Sequence, residues 1–266
     1  MKKGVIICVK TLSRQMKEDH VNAYAAQSAF FLLLSMIPII LLLLMLVQYT
    51  PVTKADVMSI AYKLFPSSAG ATIVSMIDEV YNQSKAMIPL TAIVASWSAG
   101  RGTLAITNGL NCIYKQKETR NYLFLRFRAA VYTILLVFAI VLSLVVLGFG
   151  NNIRSLVRGF VPEIIIELRT IISMGMIILF STIVYRFFPN NIRKWKKQIP
   201  GAVFTAFGWT FFSFIFSIYI DIFNGFSNMY GSLTTIVIIM IWLYFCMYIL
   251  LMGGEINVLL EQERTD

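Results

Sequence analysis

Histidine occurs once in the 266 residues, at His20, and cysteine three times, at Cys8, Cys112 and Cys246. One histidine excludes His-rich metal centres and argues against a Ser-His-Asp triad. The cysteines are odd in number, far apart and never spaced as CxxC, which argues against a disulfide framework or a cysteine-ligated zinc site. Charge is also scarce: 14% of residues are charged, against roughly 25% in an ordinary soluble domain. So few charges cannot coat a soluble globule of this size. Acidic residues number 13 against 23 Lys and Arg. No Walker A loop and no GxGxxG occurs, so a nucleotide-driven pump has no support. A two-metal nuclease needs several convergent carboxylates; Asp78-Glu79 and the separated Glu163 and Glu167 do not supply them.

What the chain has instead is apolar: 58% of residues by the broad count, 14% aromatic, with a mean hydropathy of +0.75. A bilayer-spanning helix needs about 20 mostly apolar residues. Six stretches qualify: about 25–49, 88–108, 129–150, 170–188, 201–223 and 232–254. Barrel strands would be about 10 residues long with strict alternation, which these stretches lack. The expectation is an all-α polytopic membrane protein with six transmembrane helices plus short interfacial helices.

Residues 1–24 make a poor signal peptide, because the apolar run from Gly4 ends at Val9, before Lys10, and no small-residue cleavage site follows. Val5, Ile6, Val9, Leu12 and Met16 recur near helical spacing, with Lys10, Arg14 and Lys17 between them. Either an amphipathic surface helix or a plain basic tail fits. The domain division that follows is a cytoplasmic or interfacial segment at 1–24, one six-helix domain at 25–260, and a cytoplasmic tail at 261–266.

Basic residues give the orientation. They gather in 1–24, in 115–128, in 186–197 and at Arg264, whereas the intervening loops hold only Lys54, Lys63, Lys85, Arg154, Arg158 and Arg169. That bias places both termini in the cytoplasm. It also accounts for the net charge of +10, with anionic headgroups rather than nucleic acid as the expected partner of the basic runs. The first outer loop, 50–85, carries two short apolar periodicities around Pro66-Ser67-Ser68, and 153–168 carries a third; short interfacial helices are expected there. Pro38 should kink or locally break the first span.

Few polar residues lie within or beside the apolar stretches. Arg101 sits inside the second, between Gly100 and Gly102, where a charge is costly unless it faces a partner, the bundle interior or a water-filled cavity. Asn108 falls about 20° from it on helical phase, and Asn111 lies further round. Asp221 stands near the end of the fifth span; Glu255 and Asn257 follow the sixth. These six form a candidate intramembrane polar site, with a structural anchor as the competing role for Arg101 and interfacial caps for the last three. A Glu255–Arg101 pair would have to bridge roughly 15 Å of depth at 1.5 Å per residue. No catalytic residue, metal ligand or cofactor is assigned, and no enzyme activity is expected.

Several ordered segments carry a resemblance: residues 25–38, Ser96-Trp97-Ser98-Ala99-Gly100-Arg101-Gly102, Leu110-Asn111-Cys112-Ile113-Tyr114, Tyr185-Arg186-Phe187-Phe188-Pro189-Asn190, Pro200-Gly201-Ala202, Tyr230-Gly231-Ser232-Leu233, Ile241-Trp242-Leu243-Tyr244 and Gly253-Gly254-Glu255-Ile256-Asn257. In this order the chain resembles the YihY/BrkB family over about residues 20 to 262. Gly254 departs from the family pattern, which more often has Ala. The resemblance implies six helices in the bacterial cytoplasmic (inner) membrane. It also implies an envelope role: one member is described as a serum-resistance factor and another is linked to lipid A precursor export. An older ribonuclease label is regarded as a misassignment. Translocation of a lipid or other envelope molecule is therefore expected, with a structural or envelope-assembly protein as the second class and a membrane-bound tRNA-processing ribonuclease as a remote third.

Overall fold

The computed structural model describes residues 2–47, 54, 58, 88–131, 169–222 and 232–262. Six helices carry the description: α1 Lys2–Glu18, α2 Val21–Val47, α3 Ile88–Ile113, α4 Arg169–Phe187, α5 Trp195–Ile222 and α6 Ser232–Gln262. A further helical segment occupies 122–131. Among the described residues there is no strand.

Among the described residues three segments are long and apolar enough to cross a membrane: Val21–Leu46, Trp195–Tyr219 and Ile236–Gln262; Met174–Phe187 is a shorter apolar helix. These correspond to the first, fifth, sixth and fourth expected spans. The second expected span falls within α3. The third, 129–150, lies outside the described residues beyond 131, as do the interfacial helices expected in 50–85 and 153–168. Several helix ends differ from expectation: α2 begins at Val21 rather than 25 and α3 runs to Ile113 rather than 108. α5 begins at Trp195 rather than 201, and α6 runs to Gln262 rather than ending at 254. Hydropathy locates an apolar window, whereas a helix continues wherever its backbone bonds are kept. Pro38 does not break α2, which is helical on both sides of it.

The chain divides into two compact units, and α2 and α3 each contribute to both. The first unit comprises residues 1–33, 101–125 and 166–266. Within it α5 packs against α4 and α6, and α1 lies on α6. Its core joins Val21 and Ala25 of α2, Leu110 and Ile113 of α3, Tyr185 of α4, Ala202 of α5 and Leu250 and Leu251 of α6. Of the two alternatives for residues 1–24, α1 takes the amphipathic helix: Met16 is buried in that core and Leu12 packs against it, while Lys10, Arg14 and Lys17 are exposed. The second unit has its own small core at Leu42 and Ala95. There Arg126 lies 4.7 Å from the Trp97 ring centroid and donates to the Trp97 carbonyl at 3.2 Å.

Polarity is arranged for lipid. Ile93, Leu179, Phe211, Phe214 and Ile236 are exposed on their helices, while Ser28, Thr107, Thr182 and Thr205 are buried. Several buried hydroxyls donate to the carbonyl one turn back: Ser28 to Tyr24 at 2.7 Å, Thr107 to Thr103 at 2.9 Å and Thr182 to Ile178 at 2.7 Å. Such bonds let a hydroxyl be buried without an external partner.

Candidate functional site

Helix α3 ends in a Schellman turn. Lys115 N–H donates to the Cys112 carbonyl at 3.0 Å and Gln116 N–H to the Asn111 carbonyl at 2.8 Å. Lys115 takes the left-handed position at φ 52°, which glycine usually fills and which costs a side-chain-bearing residue roughly 1–2 kcal/mol. Its ammonium ion-pairs with Asp19. Asp19 lies in the elbow between α1 and α2, next to His20, the other non-glycine residue at positive φ among those described, also 52°. Each charge complements a helix dipole: Asp19 precedes the N-terminus of α2 and Lys115 follows the C-terminus of α3.

The Asp19 side chain is only 4% exposed, whereas that of Lys115 is 62% exposed. The Cys112 thiol donates to Asp19 Oδ1 at 3.8 Å. Its burial first, and the nearby Asp19 charge second, push that thiol above its ordinary value. The hydrogen bond to Asp19 likewise holds the Lys115 ammonium above its usual range.

From α6, Glu255 is fully buried in the same unit. Neither oxygen of Glu255 receives a hydrogen bond from a donor among the described residues.

A second polar layer joins α4, α5 and α6. Tyr185 Oη donates to the Leu250 carbonyl at 2.6 Å and lies 2.6 Å from Thr205 Oγ1. Since a tyrosine has one hydroxyl proton, Thr205 is the donor in the second contact. Tyr114 Oη donates to Gln198 Oε1 at 2.6 Å, Asn257 Nδ2 reaches the same oxygen at 3.3 Å, and Asn257 Oδ1 accepts from the Gly201 amide at 2.7 Å. Burial raises the Tyr114 hydroxyl well above the usual tyrosine range.

Outside this layer two connecting turns are locked together. Arg120 grips both oxygens of Glu118, at 2.8 and 2.7 Å, and donates to the Phe188 carbonyl at 3.0 Å. Asn111 Nδ2 donates to Glu118 at 2.8 Å and Asn111 Oδ1 accepts from the Asn190 amide at 2.8 Å. Those bonds, led by Arg120, hold Glu118 down at about 2. Glu261 takes Lys197 at 2.7 Å and Arg193 at 3.2 Å, and Arg193 also stacks 4.6 Å from the Tyr114 ring.

The six residues singled out by sequence therefore separate. Glu255, Asn257 and Asn111 are buried in the first unit; Glu255 and Asn257 pack between helices rather than capping an end. Asn108 is exposed, and so is Arg101, whose guanidinium lies 5.5 Å from the Phe31 ring centroid. Arg101 forms no ion pair with Glu255. The Asp221 side chain lies outside the described residues. Cys112 and Cys246 are free thiols, and the Cys8 side chain lies outside the description. Asp19, Lys115, Tyr114, Tyr185 and Gln198 were not singled out by sequence. The signal for Asp19 was an acid within a basic N-terminal segment, directly before an apolar run. Among the described residues no group of three or more His, Cys, Asp or Glu is arranged to hold a metal ion.

Comparison with known proteins converges on one family. The model for "Virulence factor BrkB" matches residues 12–266. A ribonuclease-like protein, YfkH, of Bacillus subtilis (strain 168) is 32% identical over 90% of this chain and 90% of its own length. The UPF0761 membrane protein VV0203 of Vibrio vulnificus (strain YJ016) is 25% identical over 97% of this chain and 84% of its own. UPF0761 membrane protein PSHAa0171 of Pseudoalteromonas translucida (strain TAC 125) is 24% identical, covering 94% and 84%. No solved structure matches. The chain belongs to the BrkB family of membrane proteins.

Proposed function

We propose that this BrkB-family protein translocates a lipid or other envelope molecule across the bacterial cytoplasmic membrane, as a six-span bundle with both termini in the cytoplasm. The observation that supports the reading is Glu255: an ionisable side chain, fully buried, within the apolar helix Ile236–Gln262. A buried intramembrane charge costs several kcal/mol, and such groups mark substrate or ion pathways. A scaffold would be better served by an apolar residue of similar volume. In this orientation Lys194, Trp195 and Lys196, all exposed, meet anionic headgroups at the cytoplasmic face, at about 1 kcal/mol per basic residue. The bundle acts without a cofactor and is not an enzyme.

A structural or envelope-assembly role is the second reading. It is favoured by the tightness of the α5–α6 contact, where the crevice lined by Lys197, Pro200, Asn257, Leu260 and Glu261 holds only about 10 Å³, room for one water.

The test is reconstitution of the wild-type protein in vesicles carrying a fluorescent phospholipid or an envelope amphiphile in one leaflet. Accessibility to a membrane-impermeant quencher then reports movement. Translocation well above that of protein-free vesicles is expected. Rates equal to the protein-free control for every such probe sink the transport reading and leave the structural one.

A further inference from the structure

The turn between α4 and α5 is basic and has few acids to balance it. Residues 186–197 contain Arg186, Arg193, Lys194, Lys196 and Lys197 and no Asp or Glu. Glu261 of α6 pairs with Arg193 and Lys197, and Glu118 of the neighbouring turn pairs with Arg120. Lys194 and Lys196 are exposed, where water screens them. Arg186 is partly buried, and among the described residues no carboxylate pairs with it.

Its position is fixed from several sides. Arg186 stands in the last turn of α4. Its Nη1 donates to the Arg193 carbonyl at 2.6 Å, and the Arg193 N–H returns to the Arg186 carbonyl at 3.4 Å. The guanidinium lies 5.2 Å from the Phe187 ring centroid and 4.9 Å from that of Trp195, and the two rings meet edge to face at 5.9 Å. A group held in this way loses little freedom when a ligand binds. One edge of it is left over. Nε is sealed from water and has no acceptor. Nη2 makes no hydrogen bond among the described residues either, and it is not sealed. These two N–H groups lie parallel on one side of the planar guanidinium, the arrangement that grips two oxygens of one anion. A buried donor without an acceptor calls for a partner. The C-terminal dipole of α4 accounts for a cation there, but not for the empty edge.

The rest of the segment selects the anion. Met174–Phe187 is apolar, and Ile183, Ile192, Trp195 and Ile199 are exposed along the same stretch. An exposed tryptophan between lysines, next to an apolar helix, marks the headgroup level of a bilayer. A soluble anion has no use for exposed isoleucine and indole, whereas a phospholipid brings acyl chains to cover them. We propose that the empty edge of Arg186 binds the phosphodiester of one anionic phospholipid, with Lys194 and Lys196 supplying the positive field around it. The exposed lysines attract headgroups without ordering them; Arg186 gives one headgroup a fixed seat. A zwitterionic lipid is disfavoured because its choline adds a cation beside three others. From the reading above this takes only that α4 and α5 lie in the bilayer; translocation is not needed.

Tryptophan quenching by phospholipids with brominated acyl chains tests the site on the full-length protein in vesicles. Phosphatidylglycerol is the anionic probe and phosphatidylcholine the zwitterionic one, each present in both leaflets, so transport does not affect the readout. The Trp195 signal is the difference between the wild type and Trp195→Phe. A several-fold preference for brominated phosphatidylglycerol is expected there, and it should persist in roughly 1 M salt, where the screening length is about 3 Å. Arg186→Gln should lose the preference, and the double variant Lys194→Gln, Lys196→Gln should keep it. Equal quenching by the two lipids overturns the proposal, as does a preference that salt abolishes; neither outcome depends on Arg186→Gln folding. A preference unchanged in a folded Arg186→Gln overturns it too. Inorganic phosphate at matched ionic strength should not displace the lipid; displacement would make this a free-anion site and overturn the lipid assignment. A salt-resistant preference with no translocation by the wild type leaves the lipid site standing and removes transport. Translocation without the preference does the reverse.

Discussion

Gly201 of α5 and Gly253 of α6 meet backbone to backbone: a Cβ placed on Gly201 would overlap the Gly253 carbonyl oxygen, and one on Gly253 would overlap Thr205 Oγ1 and Tyr185 Oη. The close approach lets Asn257 reach the Gly201 amide and Tyr185 reach the Leu250 carbonyl. Small residues give membrane helices this kind of contact, which is held by packing and by hydrogen bonds between helices.

Gly201→Ala is therefore expected to destabilise by about 1–3 kcal/mol or more, since backbone atoms rather than a flexible side chain must yield. Gly175 in α4 is the control: nothing lies within 4 Å of a Cβ there, so Gly175→Ala should be neutral or slightly stabilising. Thermal melts in detergent decide it, and equal Tm values for the two variants would refute the contact.

Tyr185→Phe should cost about 1–3 kcal/mol, because it leaves the Thr205 hydroxyl and the Leu250 carbonyl short of a partner in a buried layer. Adding Thr205→Val should cost less than its effect in the wild type. A double-mutant cycle on unfolding midpoints measures this, with a coupling of about 1 kcal/mol expected for neighbours sharing one hydrogen-bond chain. Strict additivity would mean the chain is not formed.

Arg120 holds Glu118 at about 2, below its ordinary 4.5. A depressed folded-state value means stability that is complete above about 4.5 and lost as pH falls toward 2. Glu118→Gln removes that dependence, so the variant's Tm should decline less steeply than the wild type's across this window. Parallel curves would show that the turn 114–121 is not held by the Arg120–Glu118 pair.

Reporter fusions at the C-terminus and at Ser67-Ser68 should report opposite sides of the membrane, with the C-terminus cytoplasmic. A cytoplasmic signal at residue 67 is incompatible with the six-span arrangement.

By itself the sequence determined the class of the molecule. Uncharged runs such as 25–49 and 232–254 can satisfy their backbones in lipid only as helices, and the structure has helices there, at α2 and α6. The amphipathic spacing of Leu12 and Met16 against Lys10, Arg14 and Lys17 was equally readable, because helical phase is a local property. The polar site was only half readable. Glu255 and Asn257 stood out as polar residues after an apolar run and entered the candidate polar site, with caps as the competing role because hydropathy ends a span where charge begins. The helix continues to Gln262, and that extension turns both residues into the bundle. What only the tertiary structure decided was the pairing. Asp19 takes Lys115, 96 positions away, and Glu255 is buried without an ion pair to Arg101. The reason is that the α1–α2 elbow and the Schellman turn at Lys115 bring an acid and an ammonium together. Two left-handed residues, His20 and Lys115, make those turns; neither is a glycine, so nothing in the local sequence announced them.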